Sequence, residues 1–197
     1  CEYSGIRNNS GRNCQILGNN VSRCAEVSIY SEFAFDGCVI SNNIVADSVF
    51  GISITNFDVE GRLAVCANNI VRNITGGPKP EGARAGLGIH AEADTLITGN
   101  VIENAKDIGI SMGYGSKTRN VTAQGNLIRN CGRGIIASIV DGAGPHYVMN
   151  NVVAGSTVAS ITGYEYDQPK TDDLGVAGAS IPPSLVLIVL AEQLGTS

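Results

Sequence analysis

Six short strings built on asparagine recur along the chain, each followed by aliphatic residues. They are Asn19-Asn20-Val21, Asn42-Asn43-Ile44, Asn68-Asn69-Ile70, Gly99-Asn100-Val101, Gly125-Asn126-Leu127 and Asn150-Asn151-Val152. Aligned on Asn20, Asn43, Asn69, Asn100, Asn126 and Asn151, they are separated by 23, 26, 31, 26 and 25 residues. A near-constant period of this length marks a stack of repeated structural units. The preceding position holds only Asn or Gly, the residues that enter the left-handed backbone region at low cost, which predicts one tight bend per repeat. The six aligned asparagines are predicted to form a structural ladder. Their carboxamides carry both donors and acceptors, and strands stacked about 4.8 Å apart bring them within bonding reach.

Each repeat carries three short strand-like segments. One precedes the asparagine ("QILGN", "CVISN", "TLITG"), one follows it ("NIVRN", "NVIEN"), and a third comes later ("GISIT", "GIHAE", "GISMG", "GIIAS"). Three strands joined by bends, about 25 residues per turn, describe an all-β, single-stranded parallel β-helix of about six coils. The Leu lattice of a leucine-rich repeat is absent, and so are the long amphipathic helices of a doubly wound α/β fold. Period-two alternation predicts Val45, Val71, Ile102, Ile128 and Val153 inside, with Asn73, Asn104 and Asn130 as a second inward ladder. Arg72, Glu103 and Arg129 are expected to stack outside. The residues Val21, Ile44, Ile70, Val101, Leu127 and Val152 form a continuous aliphatic column. Either the bend turns them inward, or they make an outward stripe that a partner, the tail or a second copy covers.

The chain has 197 residues and a formal net charge of −5, which argues against a nucleic-acid partner. It starts at Cys1 within the repeat, which predicts a piece of a longer protein. Residues 1–170 read as one repeat domain and 171–197 as a non-repeat tail, an end cap in which Pro182-Pro183 is expected to open a short helix. The aliphatic run from Leu185 to Ala191 is too short for a transmembrane helix. Six Cys show no zinc or CxxC spacing and read as reduced, mostly buried thiols at unrelated repeat offsets. No cofactor or metal is expected. Of the glycosylation-like strings at Asn8, Asn20, Asn73 and Asn120, those at Asn20 and Asn73 are read as ladder positions instead.

The coils "GISITNF", "NNIVRN", "GIHAEADTLITGNVIENA", "GIIASIVDGAG" and "MNNVVAGS" resemble a family of bacterial twin-arginine-translocated repeat proteins of unknown function. The resemblance runs from about Ile6 to Asp167. It implies a right-handed parallel β-helix of the pectin-lyase-like kind, exported folded to the periplasm or beyond. It implies no catalytic residues.

Long connections at Asn56, Thr75, Gly113 and Val140 flank the later strand of each repeat and predict a walled surface. The outward columns read Ser28, Ser53, His90, Ser111, Ile136 and Thr162, then Tyr30, Thr55, Glu92, Gly113, Ser138 and Tyr164. His90, Glu92 and Asp94 are candidate acid–base residues, although one His-x-Glu-x-Asp string also arises on an ordinary solvated strand. Tyr30, Arg84, Tyr114, Lys117, Arg119 and Tyr164 are candidate sugar-binding residues. His146 is assigned to a loop or strand start. Asp58, Asp141 and Asp167 are loop acids that calcium could use, but such acids are more often merely exposed. The expectation is an exported carbohydrate-binding or cell-surface scaffold. The alternative is a lyase, hydrolase or epimerase acting on an extracellular, uronate-type polysaccharide.

Overall fold

The computed structural model describes residues 1–55, 61–79, 82–171 and 187–188, with backbone alone at 79, 82–84, 171, 187 and 188. Every regular element among them is a β-strand. Sheet A stacks Ile6–Asn9, Val27–Glu32, Phe50–Ile54, Leu87–Ala91, Ile108–Met112, Arg133–Ser138 and Ala159–Glu165 in parallel. Sheet B stacks Arg12–Leu17, Asp36–Ser41, Arg62–Ala67, Ala93–Thr98, Arg119–Gln124 and His146–Met149. Sheet C stacks Asn20–Ser22, Ile44–Ser48, Ile70–Ile74, Val101–Ala105, Leu127–Arg129 and Val152–Ala154. The chain visits A, B and C in turn about six times, so the fold is a parallel β-solenoid. Pairing with the next turn satisfies each strand's backbone groups, which a short strand cannot do alone.

The core is a set of vertical aliphatic stacks. Sheet A contributes Ile29, Ile52, Ile89, Ile110, Ile135 and Ile161, all fully buried. Sheet C contributes Val21, Val45, Val71, Ile102, Ile128 and Val153, and sheet B contributes Ile16, Ile40, Cys66, Ile97, Ala123 and Val148. The β-branched residues that dominate these stacks suit a pleated surface packed at close spacing.

The asparagine ladder runs between sheets B and C, but its first rung is Asn19, not Asn20. The main chain of Asn19 donates to Asn43 Oδ1 at 2.9 Å, and its Nδ2 donates to the same atom at 3.0 Å. Asn20 is exposed and pairs in register with Ile44. The left-handed residues are Gly18, Asn42, Asn68, Gly99, Gly125 and Asn150, so the first repeat is displaced by one position from the sequence alignment. Packing fixes this choice, because Val21 must enter the column of Val45. The interior rungs use all their hydrogen-bonding capacity. Asn69 Oδ1 accepts from the Asn43 main chain and from Asn43 Nδ2. Asn69 Nδ2 donates to Ile40 O and to Asn100 Oδ1.

The corrected register revises other columns. Cys14 and Cys38 are register partners in sheet B, so these two cysteines do share a column. All six thiols are free, and burial raises the pKa of Cys38, Cys66 and Cys131. Asp47, Asn73, Asn104 and Asn130 are exposed rather than inward, because each sits at a second left-handed bend. They still form a partial ladder outside: Asn73 Nδ2 donates to Asp47 Oδ1 at 2.8 Å, and Asn104 Nδ2 donates to Asn73 Oδ1 at 3.1 Å. Arg129 and Glu103 form the expected outer ion pair at 2.7 Å. The aliphatic column does not turn inward. Ile44, Ile70, Val101 and Val152 are exposed by 38–46%, while Val71 beside Ile70 is fully buried. Alternation holds over the first residues of each sheet C strand, up to the left-handed bend, and no described residue covers that row.

The last turn ends on antiparallel strands. Gln168–Thr171 folds back on sheet A, and Leu187–Ile188 lies antiparallel to sheet B. They cap edges that would otherwise present free backbone groups. The helix expected at Pro182-Pro183 lies outside the described residues, as does most of the Asn56 connection. No helix among the described residues is long and apolar enough to cross a membrane.

Two predictions follow from this packing. Asn100→Leu leaves the Asn69 main-chain N–H, Asn69 Nδ2 and Cys66 O without their partner. The expected loss is roughly 2–5 kcal/mol in urea unfolding, against less than about 0.5 kcal/mol for Asn20→Ala. His146 begins a strand as expected, but it is buried in the sheet B column of Val121. Burial lowers its pKa to about 4. The unfolded chain therefore binds more protons than the folded one between about pH 6.5 and 4, so this contribution is full above that window and falls away as pH drops through it. Urea melts between pH 7 and 4 should show a loss of roughly 3 kcal/mol in the wild type that His146→Gln lacks.

Candidate functional site

Sheet A is where the solenoid turns chemistry outward. Each of its central strands opens with a residue facing out and a glycine facing in. A Cβ on Gly109 would meet Ile128 Cγ2 at 2.6 Å and Gly134 O at 2.7 Å. A Cβ on Gly134 would meet Val153 Cγ1 at 2.3 Å. Only glycine lets sheet A approach sheet C this closely. The isoleucine after each glycine also points inward. Two consecutive inward residues therefore leave two outward rows, Val27, Phe50, Leu87, Ile108 and Arg133, and then Tyr30, Ser53, His90, Ser111 and Ile136.

These rows form the floor of a groove of about 840 Å³. All seven parallel strands of sheet A contribute, from Arg7 to Tyr164. Six spacings of about 4.8 Å make the groove roughly 29 Å long. Ala85 and Asp107 line one flank, and Tyr114, Tyr166 and Asp167 line the other. The Thr75 and Gly113 connections thus border opposite sides of the sheet.

His90 stands at the middle of the groove and is 8% exposed. Its Nδ1 lies 2.9 Å from Ser111 Oγ on the next turn, and its Nε2 lies 3.2 Å from Glu92 Oε1. An ionised carboxylate only accepts, so with a neutral ring Nε2 carries the hydrogen toward Glu92. Nδ1 is then the acceptor for the Ser111 hydroxyl. Leu87, Ile108, Ile136 and Tyr164 form a small apolar cluster separate from the main core, and all four line the groove. Ser111 is the register partner of Ile136.

Aromatic and cationic groups are paired along the groove. Arg133 lies over the Tyr164 ring, 5.5 Å from its centroid. Its Nε is buried and has no hydrogen-bond acceptor among the described residues. Arg7 lies over Tyr30 at 5.3 Å and is ion-paired with the buried Glu32. Tyr114 donates to Asp167 Oδ2 at 3.0 Å and meets the Tyr166 ring edge-on at 5.8 Å. Burial raises the hydroxyl pKa of Tyr30 and Tyr114, and at Tyr114 the neighbouring Asp167 adds to the effect.

Of the residues expected here, His90, Glu92, Tyr30, Tyr114 and Tyr164 line the groove together. Tyr30 shares its row with His90, and Glu32 rather than Tyr30 aligns with Thr55 and Glu92. Asp94 does not join them. It sits at a left-handed corner, φ 46°, where it pairs with Arg119 at 2.9 Å and accepts from Asn120 Nδ2 at 2.8 Å. Past the bend, alternation no longer carries a side chain to the same face. Arg119 also donates to Gly61 O at 3.1 Å, and neither it nor Lys117 lines the groove. The Arg84 side chain and Asp58 lie outside the described residues. Asp141 is exposed. Sequence reasoning gave no role to Arg133, Asp107 or Ser111, and it named Tyr166 with Tyr30, Tyr114 and Tyr164 as a sugar-stacking surface. Ser111 was legible, because it follows His90 in the same column one repeat later.

Among the described residues, no group of three or more His, Cys, Asp and Glu side chains is placed to hold a metal ion. No family model matches the chain, and no curated protein matches it.

Proposed function

We propose that the chain is a carbohydrate-binding solenoid whose groove on sheet A takes an extended stretch of a neutral polysaccharide. The observation that carries this reading is the continuity of the groove across seven strands, with tyrosines at both ends and hydrogen-bonding groups between them. A linear polymer fits a linear row of repeated subsites, as elsewhere in repeat proteins. Tyrosine rings offer flat apolar faces with a polar edge, which suits a sugar ring. The charge balance selects the class of polymer. The groove presents the carboxylates of Glu26, Glu92, Asp107 and Asp167 against the guanidiniums of Arg7 and Arg133, and Arg7 is already neutralised by Glu32. This excess of acid disfavours a polyuronate and favours hydroxyl donors.

The reading includes export, by the twin-arginine route that the sequence resemblance implies, to where such polymers occur. The His90–Glu92 pair with Ser111 favours a second reading, in which the bound polymer is also chemically modified.

Binding to a panel of soluble polysaccharides, followed by calorimetry, tests the proposal. Neutral polymers should bind and polyuronates should not. Tyr114→Ala should weaken binding about tenfold, roughly 1.4 kcal/mol, while Lys117→Ala, off the groove, should leave it unchanged. Preferential binding of polyuronates, or indifference to Tyr114→Ala, would sink the reading.

A further inference from the structure

Ser111, His90 and Glu92 form an uninterrupted hydrogen-bonded relay on two adjacent turns, and all three line the groove. The order is hydroxyl, imidazole and carboxylate, the arrangement needed to activate a serine as a nucleophile. The ring nitrogens are used in the opposite sense from the common serine triad, with Nδ1 toward the hydroxyl. Each nitrogen of a neutral imidazole can accept a proton when the other donates, so the relay is chemically equivalent.

A second observation specifies what the serine would attack. A groove that only holds neutral sugar has no need of an aliphatic cluster on its floor. Leu87, Ile108 and Ile136 nevertheless pack with Tyr164 there, and Ile136 is the strand neighbour of Ser111. An apolar patch beside the relay accommodates a short acyl chain. Arg133 opens the next strand of the same floor and brings a guanidinium to the groove.

We propose that the chain hydrolyses acyl esters on the polysaccharide it binds, with Ser111 as nucleophile, His90 as general base and then acid, and Glu92 orienting the ring. This rests on the saccharide reading above for the identity of the alcohol, but not for the chemistry. Ser111 Oγ attacks the acyl carbon while its proton passes to His90 Nδ1. The tetrahedral adduct collapses, the bond to the sugar oxygen breaks, and that oxygen leaves with the proton from His90. Water, deprotonated by His90, then attacks the acyl-serine. It releases the carboxylic acid and restores the hydroxyl.

A fluorophosphonate probe with intact and peptide mass analysis gives the direct test, alongside release of nitrophenol from p-nitrophenyl acetate. The wild-type protein should be labelled once, at Ser111, and should release nitrophenol. Ser111→Ala should abolish both, and His90→Gln should slow labelling at least a hundredfold, with melts confirming that both variants fold. Glu92→Gln should lower kcat at unchanged KM, because it disturbs the ring rather than the acyl site. A folded wild type that takes no label, a label on another residue, or full hydrolysis by Ser111→Ala each overturns the proposal. Polysaccharide binding by the wild type, measured separately, distinguishes this result from the saccharide reading. Labelling at Ser111 without any polysaccharide binding would keep the acyl chemistry and reject the sugar as its alcohol.

Discussion

The hydrogen bond between stacked carboxamides is the interaction on which the rest of the structure depends. Between sheets B and C the chain reverses in a left-handed bend, and the backbone groups just after it point into the core. A side chain there has to accept from the previous turn's main chain and donate to a strand B carbonyl at once. Asn100 does this through Asn69 N and Cys66 O, at 2.9 Å each. Its remaining capacity joins Asn69 Nδ2 to Asn126 Oδ1 along the stack. An aspartate lacks the donors, and a leucine lacks both donor and acceptor. With the corner set this way, the strands on either side are held in register from turn to turn. The Ile and Val stacks can then close the core.

That constraint acts on the inside and leaves the outside of each sheet free to differ. Sheet C exposes an aliphatic row beside an Arg–Glu pair. Sheet A, at the same axial level, turns His90, Ser111 and tyrosines toward the groove. The glycines at the start of the sheet A strands make the difference. They bring the backbone down onto the sheet C aliphatics and leave two outward rows flanking a pair of inward ones. The groove is therefore a by-product of how sheets A and C pack.

How much of this was legible in the sequence depended on whether a residue repeats. The aliphatic columns and the bends repeat, so the period exposed them. The string Gly18-Asn19-Asn20-Val21 is ambiguous, since either asparagine can follow a residue tolerant of the left-handed region. The aliphatic Val21 two places after Asn19 was the signal that decides it. Choosing Asn20 hid the alignment of Cys14 with Cys38. His90 and Glu92 stayed together because they sit two apart on one strand. Asp94 was lost because it lies on the following sheet B strand and itself takes the left-handed conformation.

The sequence by itself determined the solenoid, because a column of asparagines after a column of Asn and Gly has few other ways to satisfy buried backbone. It also determined which aliphatics form the core, through alternation along short strands. Only the tertiary structure decided which polar groups meet. Asp107, Tyr166 and Asp167 come from connections that obey no period, so no spacing relates them to His90. Their meeting is set by the close approach of sheets A and C and by where each connection rejoins the stack.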